Sequence, residues 1–334
     1  MKKFRYLSLL LVVFMFAAVG CSKKQAAASA DKLEEMDLVL DWYPNAVHSF
    51  IYAAIENGYY KEEGLKVNIK FPANPTDPLT LPAAGKAEVG IYYQPDVIMA
   101  RSNEKVPIKA IGSIVQSPLN VIISIKEKNI NSPKDLSGKT VGYSGNPLNV
   151  DYVKTMVAKD GGDPNSVKFV DVGFDLLSSM ITKKVDATTG GLINHEVPVM
   201  QHEGHEVNYF DPSKYGVPNY YELIFVASDN TIKQKPEVLK KFMRASQKGF
   251  EFMKQNPDKA LAILMKNQQK DNFPLIEEVE KKSVETLLPK MELKDKPFLS
   301  QDKKVWEDNI EWLGQKGLLK EKVKAEDFYV DILK

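Results

Sequence analysis

From Asp37 to about Ser228 short β-branched runs alternate with amphipathic stretches, and beyond Ser228 the strand-like runs stop. That pattern restricts the chain to βα units with mainly parallel sheets, followed by a helical tail. Strands are expected at residues 38–41, 65–71, 88–93, 108–115, 121–126, 140–143, 167–172, 186–190, 206–210 and 221–227. Helices at 49–57, 78–85, 95–103, 147–160, 176–183 and 196–203 fall between them. The tail reads as helices at 236–256, 257–266, 274–288 and 301–315 with a last turn near 325–333. Pro236, Pro257 and Pro274 open three of these helices, where a missing N–H costs least.

The stretch from Leu79 to Gly90 lines up with that from Leu176 to Ala187. Each reads as a helix, a basic turn, an acidic residue and a strand. The likeness is either a βαβ geometry used twice or the chance similarity of generic βα units. A length of 334 residues independently suits about two domains, so two α/β lobes are expected.

The N-terminus carries Lys2, Lys3 and Arg5 ahead of an apolar run over residues 7–19, which is an export signal and too short for a spanning helix. Cys21 is the single cysteine, so an internal disulfide, a cysteine-built zinc or iron–sulfur site and a catalytic thiol in the body are excluded. Ala18-Val19-Gly20-Cys21 resembles a bacterial lipobox, with Ala18 where Leu is commoner. The resemblance implies a signal peptide at 1–20, lipidation at Cys21, a flexible tether at 21–35, and a protein anchored to the extracytoplasmic face of the cell membrane. The alternative is an ordinary signal peptide with Cys21 incidental.

With 45 basic and 44 acidic side chains the net charge is +1, which gives no pull toward nucleic acid. In open α/β sheets ligands gather at the carboxyl ends of strands. The residues there are Trp42-Tyr43-Pro44-Asn45, Tyr92-Tyr93-Gln94-Pro95, Gly142-Tyr143-Ser144-Gly145-Asn146 and Gly190-Gly191-Leu192-Ile193-Asn194-His195-Glu196, with Tyr220-Tyr221 opening the last strand. Aromatic faces with amide and carboxylate edges suit a flat heteroaromatic ligand, although any one of these rings could equally be packing at the core rim. Only three arginines occur, Arg5, Arg101 and Arg244, and none lies in these loops, which argues against an oxyanion site of the bidentate kind.

Leu40-Asp41-Trp42-Tyr43-Pro44-Asn45-Ala46-Val47-His48-Ser49, the segment Gly58-Tyr59-Tyr60-Lys61-Glu62-Glu63-Gly64-Leu65, and Ala187-Thr188-Thr189-Gly190-Gly191 through His195-Glu196 resemble the solute-binding proteins of the thiamine-pyrimidine-synthase-like group. The likeness spans essentially the whole mature chain and is nearest to the pyrimidine-precursor binders of bacterial ABC importers. It implies a type II periplasmic-binding-protein fold: two α/β lobes joined by a two-segment hinge, with ligand in the interlobe cleft. Lobe 1 would comprise residues 36–117 and 225–334, lobe 2 residues 118–224, with crossovers near 115–121 and 222–226.

The resemblance further implies a pyrimidine-type thiamine precursor such as formylaminopyrimidine or hydroxymethylpyrimidine, an ABC permease and its ATPase as partners, a monomer, and neither cofactor nor metal. Carried over residue by residue, Trp42 supplies a stacking face, Asn45 an amide, and Tyr93, Tyr143 and Tyr221 the aromatic walls. Glu196, at a helix start, supplies an ionised carboxylate for an amino group and a protonated ring nitrogen. Gly145 either offers a backbone N–H to the ligand or is a plain turn residue; His48 either faces the ligand or caps and packs its loop. One departure is Leu192, where a tyrosine is expected; Tyr220 could take its place.

Two rivals follow from the same residues. The group's eukaryotic enzymes make the pyrimidine and carry a cysteine-rich iron motif, which a chain with one cysteine lacks. The other rival keeps the fold and binds another flat heterocycle, riboflavin-like. A zinc-protease helix fails because Val199 stands where the second histidine is required, and His202 and His205 read as a solvated helix end before Gly204.

Overall fold

The computed structural model describes residues 33–334 apart from Phe174 and Asn272, so the signal segment, Cys21 and residues 21–32 of the tether lie outside the described residues. In chain order the strands are β1 (Glu34–Val39), β2 (Leu65–Lys70), β3 (Val89–Tyr92), β4 (Ile108–Val115), β5 (Asn120–Ile125), β6 (Thr140–Tyr143), β7 (Lys168–Asp171), β8 (Ala187–Leu192), β9 (Val207–Phe210) and β10 (Leu223–Ser228). They form two five-stranded sheets, β2-β1-β3-β10-β4 and β7-β6-β8-β5-β9.

The two sheets have one topology. β1 pairs in parallel with β2 and β3, and β6 with β7 and β8. β10 then runs antiparallel between β3 and β4, as β5 does between β8 and β9. The mainly parallel sheets expected from sequence are therefore mixed. The reason is the chain path: β5 and β10 each enter from the other lobe, through residues 116–119 and 211–222, and need no crossover helix on their own sheet. β10 is buried along its whole length in the first sheet, which it joins from Leu223 onward.

The repeat is structural. Glu88, just before β3, accepts from the backbone N–H of Asp37 at 2.8 Å and pairs with Lys235, also at 2.8 Å. Asp186, just before β8, accepts from the backbone N–H of Thr140 at 3.0 Å and pairs with Lys128 at 2.9 Å. The lobes thus match one residue out of step with the sequence alignment, which set Val89 against Asp186. The left-handed residues Gly85 (φ 70) and Lys183 (φ 62) end the two helices at equivalent points.

β1 starts at Glu34, earlier than expected, because its parallel pairing with β2 recruits two exposed acidic residues whose local propensity is poor. In the tail, helix Pro236–Gln255 buries Leu239, Phe242, Met243, Ser246, Gly249, Phe250 and Met253, a stripe at helical spacing. A side chain at Gly249 would lie 2.2 Å from the Phe50 carbonyl, so glycine lets this helix lie against helix Ser49–Glu56. Helix Lys303–Gln315 buries Trp306 completely, and no helix among the described residues is long and apolar enough to cross a membrane.

Candidate functional site

The carboxyl ends of β1 and β3 face those of β6 and β8 across the gap between lobes. Polar contacts that cross it include Asn146 Nδ2 donating to Asp96 Oδ1 at 3.2 Å, Asn194 Nδ2 to Ser283 Oγ at 3.0 Å, and His202 Nδ1 meeting Glu278 Oε2 at 3.3 Å. Tyr93 packs against two hydrophobic clusters, one within the first lobe and one that runs from the first lobe into the second.

After β1 the chain turns through a capped 3-10 helix, Ala46–His48. Asn45 Oδ1 accepts from Val47 N–H at 3.1 Å and its Nδ2 donates to the Tyr43 carbonyl at 3.1 Å. Asn45 N–H donates to His48 Nδ1 at 3.2 Å, and His48 Nε2 meets Asp41 Oδ1 at 2.8 Å with the ring wholly buried. His48 caps and packs rather than facing a ligand, because both ring nitrogens are spent inside the loop; the Asn45 amide likewise builds the turn.

Trp42 is half-buried and meets the edges of Tyr43 at 5.9 Å and Phe273 at 5.5 Å between ring centroids. Tyr43 stacks on Phe71 at 5.8 Å and lies 4.2 Å from Phe273. Phe71 and Phe273 carry no motif and come from distant segments, so nothing local in the sequence marks them.

At the end of β3, burial pushes the Tyr93 hydroxyl well above its usual range, reinforced by the carboxylates of Asp41, Glu222 and Asp96. It therefore stays protonated as a hydrogen-bond donor. Burial also raises Asp96 to about 6, against the stabilising bond from Asn146. Glu222, in the second crossover, accepts from the N–H groups of Leu119 in the first and Asn120 at the start of β5, at 2.6 and 2.9 Å. Its carboxyl is raised by burial, which those two bonds only partly offset.

In the second lobe Tyr143 ends β6, half-buried, and Gly145 takes a left-handed conformation (φ 72) in the exposed turn before helix Leu148–Lys159. Asn146 Oδ1 accepts from Leu148 N–H at 3.0 Å, so this amide is used by the loop itself. Gly190, at φ 97 in β8, donates its N–H to Asn120 Oδ1 at 3.0 Å, and Asn120 Nδ2 donates to Asn149 Oδ1 at 2.6 Å.

Glu196 Oε2 accepts from Leu192 N–H at 2.6 Å and Oε1 meets His195 Nδ1 at 3.0 Å. Burial opposes ionisation of this carboxyl, but the His195 contact and the Leu192 N–H outweigh it and leave it below the usual range. The ionised state expected from the helix start thus rests chiefly on a neighbouring histidine. Leu192 turns its side chain toward the first lobe's core, and Ile193 does the same.

Tyr221 is the clearest correction. It is 1% exposed, its hydroxyl accepts from Asp302 N–H at 2.7 Å, and its ring meets the edge of Trp306 at 6.2 Å. Helix Lys303–Gln315 covers the crossover that carries it, so this ring is core rather than cleft wall. Tyr220 is also buried, stacked on Tyr152 at 5.6 Å.

The sequence reading missed most of the acid. Besides Glu196, the region holds Asp41, Asp96, Glu222 and Glu280; Glu280 accepts from Ala46 N–H at 2.7 Å and is raised by burial, with the charge of His195 opposing. Both described arginines are engaged elsewhere, Arg101 with Asp229 at 2.9 Å and Arg244 with Glu63 at 2.6 Å. Among the described residues no group of three His, Cys, Asp or Glu side chains could hold a metal ion. Aromatic faces, a protonated tyrosine and several carboxylates suit a flat heterocycle rich in hydrogen-bond donors.

A family model described as "NMT1/THI5 like" matches residues 45–260. The formylaminopyrimidine-binding protein of Halalkalibacterium halodurans is 47% identical over 332 residues, covering 99% of both chains. A 4-amino-5-hydroxymethyl-2-methylpyrimidine phosphate synthase of Legionella pneumophila is 28% identical over 245 residues, 72% of this chain and 76% of that one. Among solved structures, the alkanesulfonate-binding protein of Xanthomonas axonopodis pv. citri superposes with a TM-score of 0.69 at 11% identity, over 90% of this chain and 99% of that one.

Proposed function

The chain belongs to the NMT1/THI5-like family, and from that premise we propose that it is the substrate-binding protein of an ABC importer for a pyrimidine-type thiamine precursor, formylaminopyrimidine or hydroxymethylpyrimidine. The observation that carries the reading is Glu196: a half-buried carboxylate kept ionised by His195, whose charge also acts on Glu280, the carboxylate that accepts from Ala46 N–H in the loop after Trp42. An ionised carboxylate accepts only, so it matches an exocyclic amine and an adjacent protonated ring nitrogen. Trp42, Tyr93 and Tyr143 supply faces for the ring, and Gly145 a backbone N–H for a ligand oxygen.

Binding is by closure. Residues 116–119 and 211–222 join the lobes, and a ligand touching both favours the closed arrangement, which the permease and its ATPase recognise. The protein acts as a monomer, tethered through lipid on Cys21 at the extracytoplasmic face of the membrane, and performs no chemistry. Some relatives are named as synthases, but this chain has a single cysteine, in its N-terminal segment, and so lacks the cysteine-rich motif that the resemblance assigns to the enzymes.

A melting-temperature screen against formylaminopyrimidine, hydroxymethylpyrimidine, thiamine, riboflavin and taurine tests this. A shift with the aminopyrimidines above all others is expected. A shift with riboflavin alone would favour the other flat heterocycle on the same fold, and one with taurine alone would overturn the ligand class.

A further inference from the structure

Asp41 lies two residues after the end of β1, and its side chain is 8% exposed. Oδ1 is held by His48 Nε2 at 2.8 Å, while Oδ2 has no hydrogen-bond partner among the described residues. The carboxylate lies close enough to the Tyr93 hydroxyl to disfavour its ionisation, which places it beside the tyrosine that follows β3.

The hydrogen-bond accounting fixes the histidine. A backbone N–H can only donate, so the bond from Asn45 N–H makes Nδ1 an acceptor and puts the ring proton on Nε2, aimed at Asp41. The turn itself needs only an acceptor at the Nδ1 position, which a shorter amide would supply. The Nε2–H therefore serves Asp41 alone, and a wholly buried ring is an expensive way to fill core unless that donor matters.

We propose that His48 is a positioning residue for ligand recognition: its Nε2–H fixes the Asp41 carboxylate so that Oδ2 accepts a hydrogen bond from the exocyclic amine of the bound pyrimidine. This rests on the pyrimidine-binding reading and adds to it a second carboxylate, on the lobe opposite Glu196. Recognition of one amine-bearing edge from both lobes makes closure depend on the amine.

Two substitutions separate this role from plain packing. His48→Gln keeps a donor at the Nε2 position, whereas His48→Asn keeps the acceptor for Asn45 and loses the reach to Asp41. Calorimetry uses 4-amino-5-hydroxymethyl-2-methylpyrimidine and its analogue with hydrogen in place of the amine, with melting of the ligand-free chain as the fold control. Asp41→Asn, which leaves the His48 ring in place, is the second probe. Expected is wild-type affinity within about threefold for His48→Gln, and a loss of tenfold or more for the aminopyrimidine in His48→Asn and Asp41→Asn, with the analogue's affinity unchanged. Equal loss for both compounds, or no loss in His48→Asn, overturns the positioning role while leaving the transport reading intact. A wild-type chain that binds neither compound overturns both.

Discussion

Asp96 Oδ1 on the first lobe accepts a hydrogen bond from Asn146 Nδ2 on the second, at 3.2 Å, and burial holds this carboxyl at about 6. A carboxyl raised in the folded state stabilises it fully below the unfolded value near 3.8, and that contribution is lost as pH rises through about 6. At pH 8 the ionised form is a cost. Asp96→Asn keeps the acceptor for Asn146 and removes the charge, so it should raise the unfolding free energy by about 2 kcal/mol at pH 8 and leave it unchanged near pH 4. Urea unfolding at the two pH values reads this; an effect of equal size at both would show that the charge is not responsible.

Gly190 is expected to be intolerant for two reasons. Its backbone is left-handed at φ 97, and a Cβ there would lie 2.4 Å from Ser144 Oγ and 3.1 Å from Asn149 Nδ2. Gly190→Ala would push the loop after β6 away from β8 and disturb the bond from Asn120 in β5 to Asn149. Ligand affinity should fall at least tenfold, with a stability loss of about 1–3 kcal/mol. Titration together with chemical unfolding checks both, and wild-type values would mean that the loop gives way freely.

Trp42→Ala should weaken pyrimidine binding by about 1–3 kcal/mol while costing the fold little, since the ring is half-buried and packs on Tyr43 and the exposed Phe273. Calorimetry against ligand-free melting separates the two effects. A large drop in melting temperature with unchanged affinity would move Trp42 from the ligand to the core.

What the sequence revealed was local. The strand-end loops, the Asp-Trp motif and Glu196 sit within short segments, where neighbouring residues alone pick them out. Long-range partners were not legible: Glu280 reaches Ala46 across 234 residues, and Phe273 reaches Trp42 from a loop in the helical tail. Tyr221 misled because its position at a strand start fits a cleft wall equally well, and only the covering helix with Trp306 makes it core. For His48 the sequence allows both ligand contact and capping, and the structure accounts for both ring nitrogens with Asn45 and Asp41. The one-residue slip in the repeat arose at helix ends, where Gly85 and Lys183 adopt the same conformation with different residues.

The central claim is that Glu196 reads the amine-bearing edge of a pyrimidine, and calorimetric titration of the full chain and of Glu196→Gln with formylaminopyrimidine tests it most directly. The account predicts one site per chain in the wild type and a loss of about 10- to 100-fold in Glu196→Gln, since an amide cannot replace an ionised acceptor with His195 beside it. Equal affinity in the two proteins, or heat from an alkanesulfonate and none from the pyrimidine, would contradict it.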